Sequence, residues 1–233
     1  MTSLKINNWK KYIPYAIWGI IALLLLIFII KVSVFEANYY GEKQGSERAT
    51  TESASATERE VEEVDETEIT PTEIEEYTVP GDQPRYLSIP KLNITNARII
   101  SVWVKSNGEL GTPKSIYDVG WYGNSGKPGQ GKTLLLDGHN GGPTKIGVFK
   151  YLPSLAIGES IIVERGDGTK FTYKVVENKT VPLSEADAYM RTAQQSPEEG
   201  KESITIITCT GEWSDQQKTY LSRQFVRAVL VEG

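Results

Sequence analysis

The chain contains one cysteine, Cys209, and one histidine, His139, and both residue types serve enzymes as nucleophiles or proton carriers. A lone thiol has no disulfide partner within the chain. Cys209 is therefore either a small buried apolar residue or a thiol kept free because it reacts. A zinc or haem site built from Cys and His ligands is disfavoured, because there is no second residue of either type.

Both residues lie at predicted boundaries between strands and loops, where a rigid scaffold usually presents its functional groups. His139 follows the apolar run TLLLD, and Cys209 ends SITIIT and opens the predicted loop CTGEWSDQQK. Arg223 begins the last predicted strand. Taken singly, each has an ordinary structural explanation, as a buried thiol, a surface histidine or an arginine lying along the surface. Together they supply a nucleophile, a proton carrier and an anion-stabilising group.

The elements that carry these residues are predicted to be mostly β-strands. From residue 80 onward, about seven short runs rich in Val, Ile, Leu and Thr are separated by Gly, Pro, Asn and Asp. Asp167 and Gly168 form the turn of a predicted hairpin. Ser184, with Asp187 three residues later, predicts the N-cap of one short helix. This pattern is typical of an antiparallel sandwich or a closed barrel, and strand patterns alone do not choose between them.

An uncharged stretch of nineteen residues, Tyr12 to Ile30, precedes all of this. As a helix it would be about 28 Å long, close to the thickness of a bilayer's hydrocarbon core. Lys5, Lys10 and Lys11 lie before it and only Lys31 follows directly, which favours a cytoplasmic N-terminus. The alternatives are a cleaved signal peptide and a buried core helix. An uncleaved anchor is preferred, because the run is long and no convincing cleavage site follows it. The remaining residues are then expected outside the cell.

The segment after the anchor is strongly acidic. Between Glu36 and Glu76 there are fourteen acidic and three basic residues, a composition typical of an extended, solvated spacer. Residues 77–233 carry 18 basic and 16 acidic residues, so the domain is nearly neutral and has no basic stripe for nucleic acid. The predicted organisation is a cytoplasmic N-terminus (1–11), an anchor (12–31), an acidic linker (32–80) and a catalytic domain (81–233).

At the residues whose side chains could take part in catalysis, the sequence resembles the sortases, the cysteine transpeptidases of Gram-positive-type cell surfaces. Residues 205–209 read Thr-Ile-Ile-Thr-Cys, against the family's Thr-Leu-x-Thr-Cys. Residues 136–139, Leu-Asp-Gly-His, match the strand, glycine and histidine of the family's catalytic His motif. Arg223 precedes an apolar run at residues 225–228, as the family's arginine does. The resemblance covers about residues 81–233.

The resemblance implies a fold and a mechanism. The fold is a mostly β, closed barrel of about eight strands with short helices, behind the transmembrane helix. Cys209 attacks a Leu-Pro-x-Thr-Gly-like sorting motif between Thr and Gly, and His139 moves the proton. Arg223 stabilises the oxyanion, and Thr208 supports the nucleophile or binds substrate. The partners are surface proteins bearing the motif and an amine acceptor of the cell wall or of another protein; no cofactor or metal is needed.

Asp137 departs from the family's pattern, and Arg227 is a second candidate for the catalytic arginine. Asp137 is charged where the family often has a small or apolar residue, and it either faces solvent or tunes His139. Arg227 lies four residues beyond Arg223 on the same strand face and competes for the catalytic role, for which the resemblance favours Arg223. Of the sortase subclasses, the compact E and F types are the nearest.

Two other classes of function were weighed. An L,D-transpeptidase or another cell-wall cysteine peptidase shares the thiol. However, the L,D-transpeptidase motif Ser-His-Gly-Cys is absent around Cys209. A non-catalytic surface-binding module would leave Cys209 buried and Arg223 away from any cleft.

Overall fold

The structure is a computed structural model that describes residues 64–105 and 108–233, all within one compact unit. The predicted anchor and most of the predicted linker lie outside the described residues. Over the described ranges, no helix has the length and apolar character needed to cross a bilayer.

Eight strands close into a barrel with the order β1-β2-β3-β4-β7-β8-β6-β5. The strands are β1 (Pro84–Ile89), β2 (Ile94–Val102), β3 (Val119–Tyr122), β4 (Thr133–Gly138), β5 (Ser160–Arg165), β6 (Lys170–Pro182), β7 (Ser203–Ser214) and β8 (Thr219–Glu232). The helices of the described part are α1 (Pro71–Glu75) and α2 (Leu183–Ala193), with 3₁₀ turns at Pro90–Leu92 and Leu152–Ser154. This confirms the predicted mostly β closed barrel and excludes the sandwich.

The barrel interior is filled by apolar side chains that alternate along the strands. Burying one such side chain stabilises a fold by about 1.5–3 kcal/mol, and the interior receives at least one from every strand, among them Leu87, Ile99, Trp121, Leu134, Leu136, Ile161, Tyr173, Ile204, Ile206 and Val226. Residues between these positions face outward. On β7 the outward set includes Ile207, which packs with Val181, Ala193 and Phe225 in a second cluster beneath α2.

Most neighbouring strands are antiparallel, but β2 pairs with β3, and β4 with β7, in parallel. Parallel neighbours end at the same edge of a sheet. The C-terminal end of β4, which leads to His139, therefore lies beside the part of β7 that leads to Cys209.

Two local expectations were wrong, and one strand was missed. Helix α2 begins at Leu183 directly after β6, and its N-cap position is Pro182, which makes no side-chain cap; Ser184 is thus inside the helix. Strand β7 does not end at Cys209 but continues to Ser214, because the β7–β8 ladder extends past a bulge to pair Trp213 with Tyr220. Their rings meet edge to face at 5.3 Å. The short strand β3 was not predicted separately.

The last part of the predicted linker contacts the barrel. Asp65 forms a parallel bridge with Ser115, with backbone hydrogen bonds of 2.8 Å to Lys114 and 3.0 Å from Ile116. Helix α1 begins with a capping box in which Thr70 and Glu73 bond to each other's backbone N–H. Residues 64–80 thus have defined structure against the domain, although they lie on the linker side of the predicted boundary at 81.

Candidate active site

The ladder between β4 and β7 brings the histidine and the cysteine together. Asp137 pairs with Ile207, and β4 ends one residue later, at Gly138. Continuing the same register past that end places His139 level with Cys209, on strands about 4.8 Å apart. Two side chains fasten this junction. Thr208 Oγ1 donates to the Gly138 carbonyl at 2.8 Å, and Asn140 Nδ2 donates to the Cys209 carbonyl at 2.9 Å.

The arginine lies on the other side of the cysteine. Cys209 and Arg223 are directly opposite in the antiparallel β7–β8 ladder, and opposite residues project from the same face of a sheet. That face is the outer one, because Ile207, two residues before Cys209, packs in the outer cluster. The three residues predicted for catalysis are therefore neighbours on one outer face.

The histidine is held by the loop before β3. Its Nε2 lies 2.7 Å from the carbonyl oxygen of Pro113. A carbonyl only accepts, so Nε2 carries a proton in this contact and Nδ1 is the ring nitrogen that can take one up. This assigns the proton-transfer role to Nδ1 of His139.

The loop that follows His139 is closed tightly on it. The His139 carbonyl accepts the N–H of Phe149 at 3.0 Å, and the Asn140 carbonyl accepts the N–H of Gly147 at 2.9 Å. A Cβ at position 147 would collide with the His139 carbonyl, so this close approach requires glycine. These bonds fix the backbone of His139, and the Pro113 carbonyl fixes its ring.

The thiol of Cys209 is free and partly buried. Burial raises its pKa, the charge of Arg223 opposes that effect, and the carboxylate of Asp137 adds to it; the net shift is upward. The resting residue is consequently a thiol, and reaction requires its proton to move to an acceptor. Nδ1 of His139, the ring nitrogen not used by Pro113, is the candidate acceptor.

The two candidate arginines differ in their surroundings. Arg223 donates from Nη1 to the carbonyls of Tyr220 and Ser222, at 2.9 and 3.1 Å, and forms no ion pair with any described residue. Arg227 is 6% exposed and is bound by the Glu177 carboxylate and the Gln195 carbonyl, at 2.9 and 2.7 Å. Arg223 also donates to the Thr219 hydroxyl at 3.2 Å, but within the described residues its charge has no carboxylate partner. The charge of Arg227 is neutralised by Glu177.

Two further residues qualify the sequence prediction. Thr208 is 3% exposed and its hydroxyl is used by Gly138, so here it supports the strand pair; a direct contact with substrate stays a prediction. Asn140 was missed, although it directly follows His139, because only the fold brings its amide to the Cys209 carbonyl.

A family model, the sortase domain, matches residues 87–231. The chain belongs to the sortase family. The sortases are cysteine transpeptidases, so the family assignment leaves no support for an L,D-transpeptidase or a non-catalytic module. No curated protein matches the chain.

Solved structures similar to this sortase are themselves sortases. Sortase C1 from Streptococcus agalactiae is 25% identical, with 71% of this chain and 78% of that one covered at a TM-score of 0.47. Sortase A from Corynebacterium diphtheriae is 22% identical (63% and 60% covered, TM-score 0.46). A Clostridium perfringens sortase D5 transpeptidase is 20% identical (70% and 90% covered, TM-score 0.45). At these TM-scores the overlaps are partial, and the assignment rests on the domain match.

No group of three or more His, Cys, Asp or Glu side chains in the described part of the sortase is placed to hold a metal ion.

The loop that follows His139 is also bound by the segment that precedes the barrel. The carboxylate of Glu66 accepts the backbone N–H of Thr144 at 2.8 Å and of Lys145 at 2.9 Å, and also the Thr144 hydroxyl. These bonds hold the pKa of Glu66 below its usual value. Because they bind the loop from outside, Glu66 is placed to keep it folded over His139.

Replacing Glu66 by alanine is therefore expected to loosen this loop. The amide hydrogens of Thr144 and Lys145 should exchange with solvent about tenfold faster, since each loses a charge-assisted hydrogen bond. Glu68→Ala is the matched control, because Glu68 reaches only the exposed ammonium of Lys145, at 3.1 Å. If the two amides exchange at the same rates in the Glu66 variant as in the wild type, the loop stays folded without Glu66.

Proposed function

We propose that this sortase cleaves a Leu-Pro-x-Thr-Gly-like sorting motif between Thr and Gly and joins the new carboxyl end to an amine of the cell wall. The observation that carries this proposal is that the strand register brings Cys209, His139 and Arg223 to one outer face of the barrel. A groove that includes Thr133 and Leu135 lies on the outer face of the same strand, β4. The substrates would be surface proteins that bear the motif.

The groove supports an extended peptide as the substrate. It has a volume of about 400 Å³ and reaches the outer face of β4 at Thr133 and Leu135. Leu135 lies four residues before His139, and a strand rises about 3.3 Å per residue, so the two are about 13 Å apart. A four-residue extended segment such as Leu-Pro-x-Thr has the same length. Its scissile bond would lie at the Cys209 end while its first residue occupied the groove.

One wall of the groove is fixed by hydrogen bonds. The loop between β3 and β4 is fixed by Glu202, which is 5% exposed and accepts the N–H groups of Gly129 and Gly131 at 3.0 and 2.7 Å. The opposite wall comes from the segment after α2, including Gln194 and Ser196. A pre-formed groove lowers the entropic cost of ordering an extended peptide.

The reaction proceeds in two transfers. In the first, the Cys209 thiol passes its proton to Nδ1 of His139 as the sulfur attacks the threonine carbonyl. The oxyanion is stabilised by Arg223. Collapse breaks the Thr–Gly bond, and the leaving amine takes the proton from His139. In the second, an acceptor amine attacks the thioester, loses its proton to His139 and releases the thiolate, which is reprotonated.

The location follows from the segments before the domain. We propose that residues 12–31 anchor the enzyme in the cell membrane with a cytoplasmic N-terminus and an extracellular catalytic domain. The net negative charge between Glu36 and Glu76 would extend the linker by self-repulsion and let the domain reach motifs away from the bilayer.

The experiment is a transpeptidation assay with the full chain in detergent micelles. A panel of fluorogenic Leu-Pro-x-Thr-Gly peptides is incubated with an amine acceptor, and products are analysed by mass spectrometry. We expect cleavage after Thr and a product in which the acceptor is joined to it. Lack of cleavage across the whole panel would contradict the proposed motif, and cleavage at another bond would redefine it.

A further inference from the structure

Asp137 is a buried carboxyl group next to the active site that the mechanism above does not use. It is 6% exposed, so the possibility that it faces solvent is wrong. Its Oδ1 has no hydrogen-bond partner among the described residues. A buried carboxylate oxygen without a partner is costly, and its presence beside a catalytic thiol calls for a physical explanation.

The register of the strands places Asp137 on the catalytic face. Gly138 projects into the barrel, because a Cβ there would meet the ring of Phe149, so its neighbours Asp137 and His139 project outward. Asp137 pairs with Ile207, two residues before Cys209. With strands about 4.8 Å apart and two residues rising about 6.6 Å, the Asp137 and Cys209 Cα atoms are about 8 Å apart.

The space for this carboxyl group is provided by a glycine. Gly120 of β3 pairs with Asp137, and a Cβ at position 120 would collide with Asp137 Oδ1. Oδ1 therefore lies directly over the backbone of β3. Sequence position alone does not reveal this, because the cavity comes from a strand of four residues that was not predicted.

We propose that Asp137 is a fourth ionisable residue of the active site, beside Cys209, His139 and Arg223, and that its charge controls how readily Cys209 loses its proton. It acts through Cys209 as a positioning residue and does not touch the substrate. The proposal rests on Cys209 being the nucleophile of the proposed function. When Asp137 is ionised, it holds the free enzyme in the thiol form; when it is protonated, that restraint is removed.

The charges around Asp137 agree with this role. Burial raises the pKa of Asp137 to about 7, opposed by a hydrogen bond from Thr112 and by the charge of Lys105. From β7 it faces Cys209, whose pKa it raises, and from β8 the charge of Arg223 acts on the same thiol in the opposite direction. His139 is the ionisable neighbour on its own strand side. The ionisation of Asp137 thus falls in the physiological range and is coupled to that of Cys209.

The test is the pH dependence of alkylation of Cys209 by iodoacetamide in the full chain without substrate. Because the chain has one cysteine, the rate reports this thiol alone. Asp137→Asn is expected to be alkylated roughly twofold faster than wild type at pH 8, where the wild-type carboxylate is ionised. This follows from Coulomb's law at roughly 10 Å, since Oδ1 lies toward β3 and is therefore farther from Cys209 than the Cα atom is. The ratio should approach one at pH 5, where Asp137 is protonated. A slower or unchanged rate at pH 8 would overturn the proposal.

Two controls separate this effect from a structural one. Glu212→Gln removes an exposed carboxylate three residues from Cys209 and should leave the alkylation profile unchanged, because water screens it. Asp137→Ala provides a second neutral variant if the asparagine variant fails to fold. It must show the same pH-dependent gain, whereas a gain of equal size at pH 5 and pH 8 would indicate only greater access to the thiol and would contradict control by charge. Alkylation needs no sorting motif, so this result is independent of the proposed substrate.

Thermal unfolding gives a second readout. The folded-state pKa of Asp137 is raised above its usual value, so its contribution to stability is fully present below about pH 4 and is lost as pH rises through about 7. Asp137→Asn cannot ionise. Its melting temperature relative to wild type should therefore increase between pH 5 and pH 8, and a constant difference would show that Asp137 does not ionise in this range.

Discussion

Replacing Cys209 by alanine is expected to lower the rate of motif cleavage by at least about 10⁴-fold, as the loss of a catalytic nucleophile usually does. The thiol has no disulfide partner, and its backbone bonds within β7 do not depend on the side chain. The variant should therefore keep its melting temperature to within a few degrees. Cleavage and circular dichroism are measured on the same preparation. Turnover that survives this substitution would exclude Cys209 as the nucleophile.

Replacing Arg223 by alanine is expected to lower kcat/KM by about 10²–10³-fold, the usual effect of losing one oxyanion-stabilising donor. Stability should change little, because the Arg223 guanidinium bonds only to groups at the start of its own strand, the Tyr220 and Ser222 carbonyls and the Thr219 hydroxyl. The same substitution at Arg227 provides the matched control on the same strand. Arg223→Ala is predicted to lose activity, and Arg227→Ala is predicted to lose stability.

Arg227→Ala is expected to lower the free energy of unfolding by about 2–3 kcal/mol, since it leaves the Gln195 carbonyl without this donor and Glu177 with the Tyr189 hydroxyl but no cation. The value is at the low end for a broken buried pair because the Glu177 side chain is 33% exposed. Urea denaturation measures the loss, and activity per folded molecule should stay near that of wild type. The reverse pattern, with Arg227 controlling turnover and Arg223 controlling stability, would exchange the two roles.

The candidate catalytic residues were proposed from the sequence because their motifs are local. Thr205 to Cys209, the Gly-His pair and the arginine before an apolar run each occupy a few consecutive residues. The order of the three motifs along the chain can also be read directly from the sequence. The resemblance favours Arg223 over Arg227, but the sequence gives no physical reason for that preference, because both project from the same face of β8. The surroundings that distinguish them, Glu177 on β6 and Gln195 after α2, are distant in sequence.

The choice between sandwich and barrel also depended on long-range pairing. Alternating side chains show which face of a strand is buried but not which strand lies beside it. Closure here depends on two parallel pairs, β2 with β3 and β4 with β7. Strand β3 has only four residues and contains Gly120, so its strand signal is weak. The burial of Asp137 was unpredictable for the same reason, since its space lies over that glycine.

The role of residues 64–80 was likewise set by tertiary contacts. This part of the chain has the acidic composition of a solvated linker, yet Glu66 binds the loop after His139. Composition indicates the average behaviour of a segment, whereas a few hydrogen bonds to a folded surface can order its end. The capping box at Thr70 and Glu73 is the one local signal that this end has structure.

In the proposed reaction, Cys209 carries the acyl group between donor and acceptor. The direct measurement is intact-mass and peptide-mapping mass spectrometry of the full chain, quenched with acid during turnover of a cleavable motif peptide without an amine acceptor. We predict an adduct with the mass of the peptide up to its threonine, located on the peptide that contains Cys209 and released when the amine is added. An adduct located elsewhere, or turnover without any adduct on Cys209 when release is slow, would contradict it.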